Sequence, residues 1–143
     1  MFYKGYVKTK GKASIEEKLK DRTDFADYDE IINEHEFGGV LADDIILIDI
    51  DDAEQAEKMM DIVETMQLNC RVYATERGKH FLFKNDGVSK NYTGAKLACG
   101  LKADIKIGSR TSYQVLKLEG EERFIEWDED ASQPLCVLPK WMR

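Results

Sequence analysis

The chain has 143 residues, 43% of them apolar and 34% charged, with a formal charge of −7. That is the length of about one domain; the apolar share suffices for a core, and no long acidic or low-complexity tract argues for disorder. No stretch approaches the ~20 apolar residues that cross a bilayer. The N-terminal MFYKGYVKTK has no signal-type apolar run, and the three cysteines (Cys70, Cys99, Cys136) form neither a CxxC pair nor a metal-like cluster. These features predict a cytoplasmic protein with reduced thiols and no membrane partner.

In chain order, residues 2–8 are rich in aromatic and β-branched residues and predict an opening strand. Ser14 followed by Glu17 is a capping-box pattern for a short helix ending near Asp21, and a second helix is expected from Tyr28 to His35. Gly38-Gly39 should break it, with extended chain resuming at Val40. Ile45 to Asp51 is the strongest strand pattern. After it, Ala56, Met59, Met60, Val63 and Met66 recur at helical spacing behind Asp52 as N-cap. Cys70–Thr75 and His80–Phe83 predict two strands around a tight turn at Arg77-Gly78. Residues 86–94 predict a mobile loop, and Ala103–Ile107 another strand. Ser112–Leu118 and Arg123–Trp127 predict a hairpin around Glu119-Gly120, with Trp127 in the core. The last residues, holding both prolines, predict an extended tail. The expected whole is one α/β (α+β) domain: an N-terminal portion over 1–37, a core over 38–127 and a tail over 128–143.

The charge is unevenly spread. Between Arg71 and Lys117 stand ten basic residues and three acids, a local +7 that leaves −14 for the remainder. Screening limits exposed charges to a reach of roughly 10 Å, so a basic segment can attract phosphate even on an acidic protein. An unevenly charged but merely solvated surface explains the same counts.

Strand side chains alternate faces. In Ile45–Asp51, Ile46, Ile48 and Ile50 share one face, while Asp49 and Asp51 share the other. Asp104 and Lys106 oppose Ile105 and Ile107, and His80 opposes Phe81 and Phe83. Three strands thus repeat one design, apolar residues one way and ionisable residues the other. Taken singly, Asp49 and Asp51 are explained by a turn and a cap, and His80 by a surface histidine. Taken together, three carboxylates on one face repel unless a cation sits among them, and Mg²⁺ or Mn²⁺ suits such oxygen donors. Arg77, Lys79, Lys106 and Arg110 are candidates to balance a triphosphate.

The order Leu47-Ile48-Asp49-Ile50-Asp51, Thr75-Glu76-Arg77-Gly78-Lys79-His80, Ala103-Asp104-Ile105-Lys106 resembles the archaeo-eukaryotic primase superfamily. More narrowly, it resembles the N-terminal primase-polymerase (prim-pol) catalytic domains of phage and plasmid replication proteins. The likeness covers roughly residues 38–118. It implies an RRM-like mixed or antiparallel sheet with helices on one face and an N-terminal α/β extension. It implies that Asp49, Asp51 and Asp104 hold catalytic Mg²⁺ or Mn²⁺, and that His80 contacts the phosphates of a nucleoside triphosphate. Arg77, Lys79 and Lys106 would be nearby phosphate ligands. The implied activity is template-dependent nucleotidyl transfer, as a DNA primase or DNA polymerase in a bacterial host cell. The implied partners are a single-stranded DNA template and a helicase or helical C-terminal domain of the same replication protein. Two rival expectations stand beside it: a non-catalytic nucleic-acid or partner-binding module that keeps the fold, and a metal-dependent nuclease.

Overall fold

The computed structural model describes residues 1–16, 19 and 22–142. Its longest helix, α2 (Ala53–Met66), forms where the spacing predicts it. Asp52 caps it by accepting a hydrogen bond from Gln55 N at 2.9 Å, and Ala56, Met59, Met60 and Val63 are its buried stripe. Gln67 ends it in the left-handed conformation, φ 52°. The stripe packs on a six-stranded antiparallel sheet ordered β11-β5-β6-β4-β8-β7. Its strands are β4 (Ile45–Ile50), β5 (Arg71–Ala74), β6 (Lys79–Lys84), β7 (Tyr92–Lys96), β8 (Lys102–Ile107) and β11 (Ile125–Trp127). Ile46, Ile48, Ile50, Phe81, Phe83, Ile105 and Ile107 face the helix. Complete burial of each phenylalanine here contributes roughly 1.5–3 kcal/mol.

The opposite face of β4 is covered as well. Ile45, Leu47, Leu82 and Tyr73 pack against Phe2, Tyr3, Phe37, Leu41 and Leu116. These belong to or adjoin a second antiparallel sheet, ordered β10-β9-β3-β1-β2. Its strands are β1 (Tyr3–Lys10), β2 (Ala13–Ser14), β3 (Phe37–Leu41), β9 (Tyr113–Leu118) and β10 (Glu121–Glu122). The fold is therefore α+β, with the six-stranded sheet between α2 and the five-stranded one. The expected division at residue 37 falls within β3, which pairs with β1 on one side and β9 on the other.

Several local expectations are corrected. Ser14 pairs with Thr9 in β2 instead of capping a helix, while residues 17, 18, 20 and 21 of that predicted helix lie outside the described residues. The second helix, α1, spans only Tyr28–Ile31, capped by a reciprocal Asp27–Glu30 box. Gly38 and Gly39 lie inside β3. A Cβ on Gly39 would stand 2.5 Å from the Tyr3 ring, so the glycine admits a neighbouring aromatic rather than breaking the chain. The predicted loop at 86–94 ends in edge strand β7. Asn91 anchors it by bonding Ser112 Oγ at 3.0 Å and accepting from Ile107 N at 2.8 Å.

The chain does turn at Glu119-Gly120, both with positive φ. The returning strand pairs with β9 for only two residues; β11 then crosses to the other sheet and pairs with β5. The tail is not a free extension. Asn69 Nδ2 donates to Asp130 O and Pro134 O, and Leu138 is buried at 2% exposure against the α2 core. Trp127 is half-buried, its indole donating to Leu68 O at 3.0 Å. Among the described residues no helix is long and apolar enough to cross a membrane.

Gly78 joins the β5–β6 turn to the end of β4. A Cβ there would lie 1.8 Å from Ile50 O and 3.1 Å from Asp52 N, both backbone atoms that cannot swing aside. Gly78→Ala should therefore lower stability by about 1–3 kcal/mol in denaturant unfolding. An unchanged midpoint would show that the turn and β4 do not press together.

Candidate functional site

Register builds the site. Asp49 of β4 stands directly opposite His80 of β6 and directly opposite Asp104 of β8. His80 in turn faces Tyr73 of β5. Residues opposite one another across strands share a face, so Asp104, Asp49, His80 and Tyr73 form one row. Asp51 lies two residues beyond Asp49, past the end of the strand. The row looks towards the five-stranded sheet, across a cavity of about 140 Å³ lined by Asp49, Asp51 and His80 on one side. Its other lining includes Lys12, Lys106, Glu76, Gln114 and Arg123. A second cleft of about 360 Å³ shares Asp49 and Asp51 and adds Asp104, Gln55, Gly94 and Lys102. Asp49 and Asp51 thus form the ridge between two openings, with Asp104 reaching only the second.

The His80 ring is almost wholly enclosed, 8% exposed, and both its nitrogens are engaged. Nε2 lies 3.3 Å from Asp49 Oδ1, and Nδ1 lies 3.1 Å from Gln114 Nε2. Burial opposes ionisation of the Asp49 carboxyl. The hydrogen bond from His80, the electrostatic attraction of that ring and the charges of Lys106 and Arg123 together outweigh it, so its pKa falls below the ordinary aspartate value. Ionised Asp49 therefore adds stability at pH values above its unfolded pKa, a gain lost as pH falls through the lower folded one.

The remaining predicted residues separate. Asp51 Oδ2 is held by Arg77 Nη2 at 2.7 Å, with both side chains more than half exposed. Asp104 Oδ1 accepts a hydrogen bond from Gly94 N at 2.7 Å. Lys106 lines the smaller cavity, its ammonium 5.8 Å from the Tyr113 ring centre. Lys79 is turned to the helix side of the sheet, where it is 8% exposed and ion-paired with Glu126 and, at 3.0 Å, with Glu57. Burial disfavours its charge, but the two carboxylates reverse that and raise its pKa. Alternation within β6 dictates this: a residue next to His80 must point the opposite way. Arg110 belongs to a separate basic pocket with Lys90 and Ser109, its Nε donating to Ser89 O at 3.1 Å.

The structure adds residues absent from the sequence reading. Gln114, 1% exposed, comes from β9 of the other sheet. Its signal was a lone polar residue within the apolar run Tyr113–Leu116, but nothing local tied it to His80. Arg123, at the crossover between sheets, holds Glu76 through Nη2 at 3.3 Å, with its side chain only 7% exposed. Its Nε is buried with no hydrogen-bond partner among the described residues. Of the thiols, Cys70 is buried, and that burial raises its pKa to about 12, which suits a packing role.

Compared with known proteins, the chain matches no family model, no curated protein and no solved structure. Among the described residues no three His, Cys, Asp or Glu side chains already stand close enough to hold a metal ion. The donor chemistry of Asp49, Asp51 and Asp104 nonetheless fits a hard divalent cation. Assembling the set requires Asp51 to leave Arg77, an exposed ion pair worth less than about 1 kcal/mol.

Two outcomes follow. His80→Phe should raise the Asp49 pKa, because burial remains while the donor is lost; carboxyl-carbon NMR titration checks this, and an unmoved pKa would refute the coupling. Lys79→Met should lower stability by about 1–3 kcal/mol in thermal or denaturant unfolding, since it leaves Glu57 and Glu126 without their shared cation. A neutral result would contradict the ion pairs.

Proposed function

We propose that this chain is a divalent-metal-dependent nucleotidyltransferase of the primase-polymerase type, acting on a nucleoside triphosphate and a single-stranded DNA template. The observation that carries the reading is the row Asp104–Asp49–His80, with Asp51 two residues on, beside a cavity walled by Lys12, Lys106 and Arg123. Carboxylates for metal and cations for phosphate meet at one place, as phosphoryl transfer requires. The strand order is in keeping with an RRM-like sheet. β4 and β5 run parallel, joined by α2 with β6 between them, and β8 takes the far side of β4. The connection from β6 to β8 departs from a split β-α-β-β-α-β unit, carrying β7 where that unit has its second helix.

In this reading Asp49 and Asp51, with Asp104 from the neighbouring strand, would hold the Mg²⁺ or Mn²⁺. The ion would supply charge neutralisation at the reacting α-phosphate and its leaving group. Lys106 and Arg123, which line the smaller cavity, would bind the phosphate oxygens. Arg77, released from Asp51, would add a second guanidinium at the rim. Lys79 and Arg110 are left out, the first tied to α2 and the second in another pocket. One observation favours the non-catalytic module instead: Asp51 and Asp104 are already bonded, to Arg77 and Gly94.

A single assay separates the readings: labelled deoxynucleotide and a primed template, with Mn²⁺ or Mg²⁺. Template-directed extension is the expected result, and Asp49→Ala or Asp51→Ala should abolish it while leaving the circular dichroism spectrum unchanged. Salt-sensitive DNA binding without incorporation would mean a binding module. Template degradation would mean a nuclease.

A further inference from the structure

Five polar side chains run in one line to the Asp49 carboxylate. Arg71 Nη1 donates to the Tyr73 hydroxyl at 3.3 Å, and the Tyr73 and Tyr3 oxygens are 3.2 Å apart. Tyr3 donates to Gln114 Oε1 at 2.7 Å, Gln114 Nε2 meets His80 Nδ1 at 3.1 Å, and His80 Nε2 meets Asp49 Oδ1 at 3.3 Å. The middle of the line is enclosed, with Tyr3, Tyr73, His80 and Gln114 all buried. Burial foremost, then the neighbouring Tyr73, pushes the Tyr3 pKa well up, so its hydroxyl keeps its proton.

The two ends give the line a direction. A guanidinium only donates, and an ionised carboxylate only accepts. With the Tyr73 oxygen accepting from Arg71, its own proton goes to Tyr3, and Tyr3's proton goes to Gln114 Oε1. The amide N–H then points at His80 Nδ1, which must accept it. The ring proton is left on Nε2, aimed at Asp49. Turning the amide over would make Nδ1 the donor and, in a neutral ring, would leave an unprotonated Nε2 facing the Asp49 carboxylate, two acceptors opposed at 3.3 Å.

We propose that Gln114 and Tyr3 are positioning residues that hold the neutral His80 ring as its Nε2–H tautomer and aim that proton at Asp49. His80 then orients a carboxylate, and neither ring nitrogen is free for phosphate. The tautomer stands independently of any activity. Its consequence for turnover rests on the reading of Asp49 as an ion-holding residue.

The chain has only two histidines, and His35 is exposed, so ring-¹⁵N spectra can distinguish them. At a pH where His35 is neutral, His80 should show an unprotonated Nδ1 and a protonated Nε2, without averaging. Gln114→Glu cannot donate to the ring, so Nδ1 should gain a proton and both nitrogens should read as protonated. Because that variant buries a carboxylate, Gln114→Met and Tyr3→Phe serve beside it. Each removes the directed donor without adding charge, so Asp49 alone is left to bias the ring, and each should shift the Nδ1 signal and admit a measurable share of the other tautomer. A protonated Nδ1 in the wild-type neutral ring would overturn the proposal, as would His80 signals unchanged across the variants. Metal-dependent nucleotide incorporation should fall about 10–100-fold in the variants. Unchanged incorporation despite an altered tautomer would remove the positioning role. If the wild type incorporates nothing, the proposed function fails, while the nitrogen spectra still decide the tautomer.

Discussion

Burial of β4 on both faces is the constraint around which the rest of the molecule is arranged. Its helix-side residues, Ile46, Ile48 and Ile50, need α2; its other face, with Ile45 and Leu47, needs the five-stranded sheet. A strand so covered leaves Asp49 only half-solvated, and an unpaired charge there would be costly. His80 from β6 meets that need directly, and the polar line through Gln114 and Tyr3 meets the needs of His80 in turn. The sheet–sheet interface is therefore apolar at one end and hydrogen-bonded at the other, and the cavity opens at the polar end.

The same packing redistributes charge. Read along the chain, Arg71 to Lys117 is a basic segment, yet several of its cations meet acids from outside it. Arg71 pairs with Asp128, Arg77 with Asp51, and Lys79 with Glu57 and Glu126. Antiparallel pairing of β11 with β5 carries the acidic stretch after Phe124 alongside the basic one. A linear charge count thus overstates the positive potential at the site. Lys12 and Arg123, both from outside the segment, join Lys106 at the smaller cavity.

Two kinds of carboxylate result. Asp49 is half-buried, bonded to the His80 imidazole and held ionised; Asp51 is exposed and paired with Arg77. An exposed pair exchanges readily for another cation, whereas Asp49 is bonded to a buried ring, His80, that is itself held by Gln114. This asymmetry gives the ridge one carboxylate fixed by a buried partner and one in an exposed pair.

What the sequence by itself determined is everything carried by a local period. α2 and its Asp52 cap, the alternation in β4, β6 and β8, and the placement of Asp49, His80 and Asp104 on one kind of face follow from neighbours at spacings of two, three and four residues. Alternation even set Lys79 against His80, although both stand in one short motif. The tertiary structure alone decided which strand lies beside which, and so which faces meet. It moved β11 out of the predicted hairpin into the other sheet, folded the tail onto the α2 core, and brought Gln114 and Arg123 to a cavity whose acids are encoded far earlier. A period records where a side chain points relative to its own backbone. It holds no information about what stands opposite, because that depends on contacts between segments distant along the chain.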